Sequence, residues 1–206
     1  MTEDDKAGLA GEAVVRLEAF LRNSVEGPLV DSLGGDDPKE LRAGVERALS
    51  AIQSLHFLAD RAAGERTLYD LEELVSTTVQ QFQSGSSLQV DLVLPAEAVQ
   101  VRVDGDGFSN ALTLVLHNAE SFGGDRGAKI TIEAGDPYAT VTVADDGPGF
   151  SAEALSRAYD PFYSTSESGL GLGLPQARTL VEAMGGQIHL RNGEKGGVVE
   201  LSLPLA

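Results

Sequence analysis

Three glycines alternate at Gly169, Gly171 and Gly173, ending the stretch DPFYSTSESGLGLG (160–173), and a helix-like segment follows at once. Backbone that carries no Cβ can pass close to a bulky anion. A helix that starts just beyond it aims free N–H groups at the same anion. Two segments upstream raise the value of this signal. LHNAESFG (116–123) ends an apolar helix that presents Leu112, Val115, Leu116 and Ala119. Its Asn118 offers a neutral amide oxygen, a hard ligand suited to Mg²⁺; the plainer reading is a cap or surface residue. VADDGPGF (143–150) leaves a strand with two carboxylates and turns through Gly-Pro-Gly. A carboxylate at a strand end can accept a hydrogen bond from an exocyclic amine such as that of adenine, although the same residues also make a plain turn. Together the three segments point to a nucleotide.

Composition narrows the alternatives. With 206 residues, 42% apolar and 23% charged, the chain suits one sizeable globular domain, or one domain with a small appendage. A net charge of -17 argues against a nucleic-acid surface. It also requires a polyphosphate ligand to bring a cation or to meet a local exception to the field. The absence of cysteine excludes disulfides, thiol nucleophiles and cysteine-based metal sites. The opening MTEDDK is acidic and lacks an apolar core, unlike a signal peptide. No apolar run approaches the ~18 residues of a membrane span, so the expected location is cytoplasmic.

The expected fold class is α+β, with two regions. Residues 1–66 read as a helical hairpin. Leu41, Val45, Ala48, Ile52, Leu55, Ala59 and Ala62 follow a 4-3-4-3-4-3 spacing, a heptad seam. Ala10, Val14, Leu17 and Leu21 mark the first helix, and SLGGDDPKE (32–40) supplies a Gly-Gly stop, an Asp37 cap and Pro38 at the first position of the second. Such a hairpin is expected to pair with a second copy as a four-helix bundle, making a homodimer; the alternative is packing on its own globular domain. Residues 67–206 read as an α/β sandwich with one mixed sheet covered by helices on one face. The pattern predicts helices over 71–82, 107–122 and 174–184, the last closed by Gly185-Gly186. Strands are expected at LQVDLVL and VQVRVD, at AKITIEA and YATVTVA joined by a GDP hairpin turn, and at QIHLRN and VVELSLPL.

Over about residues 68–204 the chain resembles the ATP-binding domain of sensor histidine kinases and of their relatives, the gyrase, heat-shock chaperone and mismatch-repair ATPases. LHNA is similar to the family's N box, DDGPGF to its G1 box, DPFYST to its F box and GLGLGL to its G2 box, in the family's order; GGQIHL and VVELSLPL are similar to its closing strands. The resemblance implies that ATP and Mg²⁺ are the cofactors. It gives Asp145 the reading of the adenine amino group, Gly147 and Gly149 close passage of the base, and Asn118 the coordination of Mg²⁺. Gly169, Gly171 and Gly173 shape the lid and the phosphate end, and Phe162 and Thr165 lie at the lid hinge. The lid runs from Tyr163 to Ser168.

Two departures qualify what the resemblance implies. The family's phosphoacceptor histidine typically stands five residues before a proline on the first hairpin helix; here that place, counted back from Pro28, holds Asn23, which has no imidazole. The three histidines are elsewhere: His56 on the second hairpin helix as a candidate surrogate acceptor, His117 in the N-box segment with helix packing as its plainer role, and His189 as an ordinary strand residue. Hydrolysing relatives also carry a glutamate four residues before the Mg²⁺ asparagine, as general base. Leu114 stands there and can orient no water. The implied function is ATP binding in two-component signalling with phosphate passed to a partner: a histidine kinase, a phosphotransfer protein or a response regulator. The alternative is an inactive adaptor that binds nucleotide and engages such a partner. A serine/threonine kinase of the anti-sigma type is disfavoured because the hairpin has no role in one.

Overall fold

The computed structural model of the protein describes residues 64–123, 127–161, 163–166 and 171–206. All belong to one compact unit, Arg61–Ala206. The hairpin expected over 1–66, with Asn23 and His56, lies outside the described residues apart from its last three, as do Phe162 and Gly169. No helix among the described residues is long and apolar enough to cross a membrane.

The elements run β1 (Thr67–Asp70), α1 (Leu71–Gln83), β2 (Val90–Val93), β3 (Gln100–Val103), α2 (Gly105–Gly123), β4 (Ala128–Ala134), β5 (Tyr138–Asp145), α3 (Ala152–Arg157), α4 (Gly173–Ala183), β6 (Gln187–Asn192) and β7 (Gly197–Pro204). Five strands form a sheet in the order β2-β4-β5-β7-β6. The β2–β4 pair is parallel and the others are antiparallel, so the sheet is mixed as expected. One expectation is corrected. VQVRVD does not join that sheet; β3 pairs with β1 in a separate two-stranded antiparallel ribbon. Alternation identifies a strand but not its neighbour, and TLYD is too short to have announced itself as the partner.

The sheet's two faces follow from the period of two. Ala139, Val141, Val143 and Asp145 of β5 point inward, as do Ile130 and Ile132 of β4 and Val199, Leu201 and Leu203 of β7. The outer face is polar: Thr140 faces Ser202, Thr142 faces Glu200, and Arg191 pairs with Glu200 at 2.7 Å. Helix α2 packs on the inner face, with α1 and α4 both packed against it. Its buried Phe108, Ala111, Leu112, Val115, Leu116 and Ala119 form one apolar stripe at helical spacing.

Local signals mark at least one end of each helix. Asp70 caps α1 by accepting the Glu72 and Glu73 N–H groups at 3.0 and 3.2 Å. Asp104 accepts the Gly107 N–H at 3.0 Å and starts α2 two residues earlier than the pattern predicts. Helix α3 is a six-residue turn capped by Ser151, too short for any periodicity to reveal. Helix α4 closes as the Gly-Gly pair predicts. The Gly185 N–H donates to Glu182 O and the Gly186 N–H to Val181 O, with Gly185 at a φ of +81°, which is a Schellman closure.

The segment after α3 is tied to the sheet by Tyr159. Its hydroxyl donates to Ile188 O at 3.1 Å on the edge strand β6, and the Arg178 guanidinium lies 4.9 Å from its ring centroid. Burial pushes Tyr159 up to about 12, because the ionised phenolate loses solvation there.

Two outcomes are expected. Leu112→Ala removes a fully buried side chain from the centre of the stripe and should destabilise the unit by about 2–5 kcal/mol in denaturant unfolding. For Tyr159 the folded-state value lies above the ordinary 10, so folding holds the proton more tightly and stability is lost as pH rises through that window. The wild type should therefore lose stability between pH 10 and 12 more steeply than Tyr159→Phe, as read by thermal melts across that range.

Candidate functional site

Strand β5 alternates strictly, so its last residue, Asp145, falls on the inner face where its neighbours two and four back are Val143 and Val141. A carboxylate there is nearly buried, at 8% exposure, and must be satisfied. Oδ1 accepts the Gly147 N–H at 2.8 Å and the Gly197 N–H at 3.2 Å. Among the described residues no donor reaches Oδ2. The carboxylate is thus fixed by one oxygen and presents the other as an acceptor.

The walls around it admit no side chain. A Cβ on Gly147 would stand 2.7 Å from Asp145 Oδ1 and from Phe122 O, and one on Gly196 would stand 2.0 Å from the Asp145 carbonyl. Gly149 adopts a φ of +75°, a conformation that L side chains rarely take, and lets the loop turn back to β6. There Asn192 fastens it in both directions: the Phe150 N–H donates to Asn192 Oδ1 at 2.7 Å and Asn192 Nδ2 donates to Phe150 O at 2.9 Å.

Helix α2, which carries Asn118, ends beside the same carboxylate. Its C-terminal residue, Gly123, abuts Asp145, since a Cβ there would lie 3.4 Å from Asp145 Cβ. Asn118 is five residues back, about 7.5 Å along the axis. It is half-buried beside the buried Ala119, and its amide has no hydrogen-bond partner among the described residues. One turn further back, Leu114 packs against the core. Gly173 sits over it, with a built Cβ 4.0 Å from Leu114 Cδ2. The N-terminus of α4 therefore rests on the turn of α2 that precedes Asn118. Its N-cap residue, Leu172, supplies no side-chain hydrogen bond, which leaves first-turn N–H groups for an anion.

The lid is closed at its neck. Gly171, at a φ of +65°, presses on Tyr163 so closely that a Cβ would fall 2.3 Å from the Tyr163 carbonyl oxygen. The Arg157 guanidinium lies 4.4 Å from the Tyr163 ring centroid. Thr165 is exposed beyond this neck. Asp145 and Gly147 thus meet the C-terminal end of α2, the helix that carries Asn118; Gly149 lies beside Asn192 and Gly196, and Gly171 and Gly173 lie at the start of α4.

A divalent cation fits this arrangement. Among the described residues no three His, Cys, Asp or Glu groups cluster to cage a metal. A single unpartnered amide oxygen on α2, one turn beyond where the uncapped N-terminus of α4 packs, is nevertheless the kind of set in which Mg²⁺ takes one protein ligand and completes its shell with phosphate and water. His117 turns away: it is exposed, meets the Phe82 ring edge-on at 5.0 Å and pairs with Glu120 at 3.4 Å, a packing role. His189 is exposed on β6 near Gln187. Sequence reasoning missed Asn192, Gly196 and Gly197. Their turn, NGEKGG, reads only as a hairpin, and the contacts that matter span 42 and 52 residues.

Comparison with known proteins agrees with this geometry. The family model for histidine kinase-, DNA gyrase B- and HSP90-like ATPases matches residues 103–206. Sensor protein kinase PilS of Pseudomonas aeruginosa is 30% identical over 154 residues, which are 71% of this chain but 29% of PilS, so the chain spans less than a third of that relative. The nucleotide-free catalytic domain of the histidine kinase ThkA superposes with a TM-score of 0.63 at 27% identity, covering 69% of this chain and 97% of that domain. ThkA in complex with the response regulator protein TrrA shares the fold at 22% identity, with a TM-score of 0.79 over 98% of this chain and 64% of ThkA. The boxes read from the sequence, the way β5, α2 and α4 gather them, and the match over 103–206 have one account: the chain belongs to the histidine kinase-, DNA gyrase B- and HSP90-like ATPase family, and its second unit is an ATP-binding domain of the sensor histidine kinase type.

Proposed function

We propose that this protein binds Mg-ATP and passes the γ-phosphoryl group to a residue on a partner in two-component signalling. The observation that carries the reading is Asp145, held at Oδ1 by two backbone N–H groups with Oδ2 free to accept. An acceptor at that place suits the exocyclic amine of adenine and opposes the carbonyl that guanine presents. Asn118 would hold Mg²⁺, and the ion would neutralise phosphate charge. The first-turn N–H groups of α4 would receive the phosphate oxygens, with Gly169, Gly171 and Gly173 allowing the approach and Phe162 and Thr165 framing the lid. Leu114 keeps an oriented water from the γ-phosphate, which favours transfer over hydrolysis. Asn23, in the place of the family's acceptor, directs that transfer to another chain. ThkA was crystallised with a response regulator, and a partner of that class, or a histidine kinase or phosphotransfer protein, suits this chain. Its hairpin would make the homodimer, and the expected location is cytoplasmic. Leu114 and Asn23 also support a second reading, a nucleotide-binding adaptor without chemistry.

Asp145→Asn should weaken ATP at least about tenfold in calorimetry while the melting temperature stays near wild type, because a charge-assisted acceptor is lost; an unchanged affinity would sink the adenine role. Asn118→Ala should weaken ATP in the presence of Mg²⁺ and leave adenosine binding as it was. With γ-labelled Mg-ATP, the protein alone should stay unlabelled and label should appear on an added response regulator or phosphotransfer protein. Absence of label on every such partner, with binding intact, would favour the adaptor; acid-labile, base-stable label on the chain itself would place a phosphohistidine at His56 or His117.

A further inference from the structure

The four C-terminal carbonyls of α4 can be accounted for one by one. Leu180 O accepts the Met184 N–H, Val181 O accepts the Met184 and Gly186 N–H groups, and Glu182 O accepts the Gly185 N–H. Ala183 O is taken by Nη2 of Arg66, a residue that precedes β1 and lies 117 positions away in sequence. The guanidinium also runs past Gly185, with Nη1 3.8 Å from where a Cβ would stand. Helix α4 has no basic residue in its own last turn, so the cation that its negative end calls for comes from this distant segment.

The same segment makes a second attachment two residues earlier. The Gly64 N–H donates to Asp104 Oδ2 at 2.9 Å, and Asp104 is the residue whose Oδ1 caps α2. A Cβ at Gly64 would stand 2.5 Å from that carboxylate. Residues 64–66 are thereby fastened to the N-terminus of α2 and to the C-terminus of α4, immediately before Thr67 enters the β1–β3 ribbon. These are the two helices that carry Asn118 and the uncapped N–H groups of the candidate phosphate end, and they pack on each other through Gly173 and Leu114.

We infer that Gly64–Arg66 is a strap that sets the position of α4 against α2, with Arg66 as the positioning residue for the phosphate end of the site. This rests on the nucleotide reading proposed above. The strap grips each helix at the end remote from the ligand, so a shift of Arg66 moves α4 along or about its axis without touching Asp145, whose position is fixed by β5. The strap therefore acts on phosphate binding and leaves adenine recognition alone. Arg66 is exposed, and water can take over Ala183 O when it is removed, so its loss displaces the helix without unfolding the unit.

The test uses the full 206-residue protein as wild type, Arg66→Ala and Arg66→Lys. Amide hydrogen exchange over 173–184 without nucleotide, and calorimetric affinities for Mg-ATP and for adenosine, are measured for all three. Arg66→Ala should speed exchange in α4 and weaken Mg-ATP by about twofold to fivefold, the scale of a lost cation at an exposed helix end. Adenosine affinity should stay at the wild-type value, and Arg66→Lys, which keeps a charged donor, should recover most of the loss. Unchanged exchange and unchanged Mg-ATP affinity in Arg66→Ala would overturn the inference. So would an equal loss for Mg-ATP and adenosine with exchange rising across the whole sheet, which is the mark of a merely structural contact. A wild type that binds neither compound would remove the nucleotide reading and with it the role at the phosphate end, while faster exchange confined to α4 in Arg66→Ala would still support the strap.

Discussion

The two hydrogen bonds that hold Asp145 Oδ1 are the constraint around which this unit is arranged. A carboxylate buried at the end of a central strand is tolerable only if backbone donors come to it. Those donors, Gly147 and Gly197, lie on the loop after β5 and at the start of β7. To reach it, both backbones must come closer than a Cβ allows, which explains the glycines at 147, 196 and 197, and the C-terminus of α2 comes into van der Waals range at Gly123. Once they are in place, the helix that carries Asn118 is fixed in register with the strand that carries Asp145. The requirement of one charge for partners thus sets the geometry of the whole base end.

Much of this was legible in the chain. The period of two in AKITIEA and YATVTVA fixes which face Asp145 joins, and the apolar stripe of α2 fixes the phase of Asn118. The Gly185-Gly186 pair ends α4 as read, because a Schellman closure is a local matter of backbone conformation. What stayed hidden is what depends on distant partners. The β1–β3 ribbon, the Asn192 clasp on Phe150 and the donation from Gly197 to Asp145 all join residues dozens of positions apart. No window of sequence contains both halves of such a contact. Helix α3 was missed for the opposite reason, being too short to show a period.

Charge gives the site a particular character. The chain is strongly acidic, yet the candidate phosphate end offers backbone N–H groups and a neutral amide where a basic side chain would be the commoner device. Partial charges of that kind attract a phosphate without the desolvation cost of burying a cation. On the proposed reading, they would leave most of the charge compensation to the cation bound with the phosphates.

The closed neck at Tyr163 and Gly171 makes the lid a loop whose two ends are already joined, whatever lies between them. Bringing loop ends together is the step whose entropy depends on length, and it does so only weakly, at about 0.6 kcal/mol for each doubling. With the ends pinned by backbone contact and by Arg157 over Tyr163, residues can be added or exchanged within the lid while β5, α2 and α4 keep their places. On the nucleotide reading proposed above, selectivity at the phosphate end can therefore diverge by changes between these two pinned ends, with the strand and helices that carry Asp145 and Asn118 left as they are.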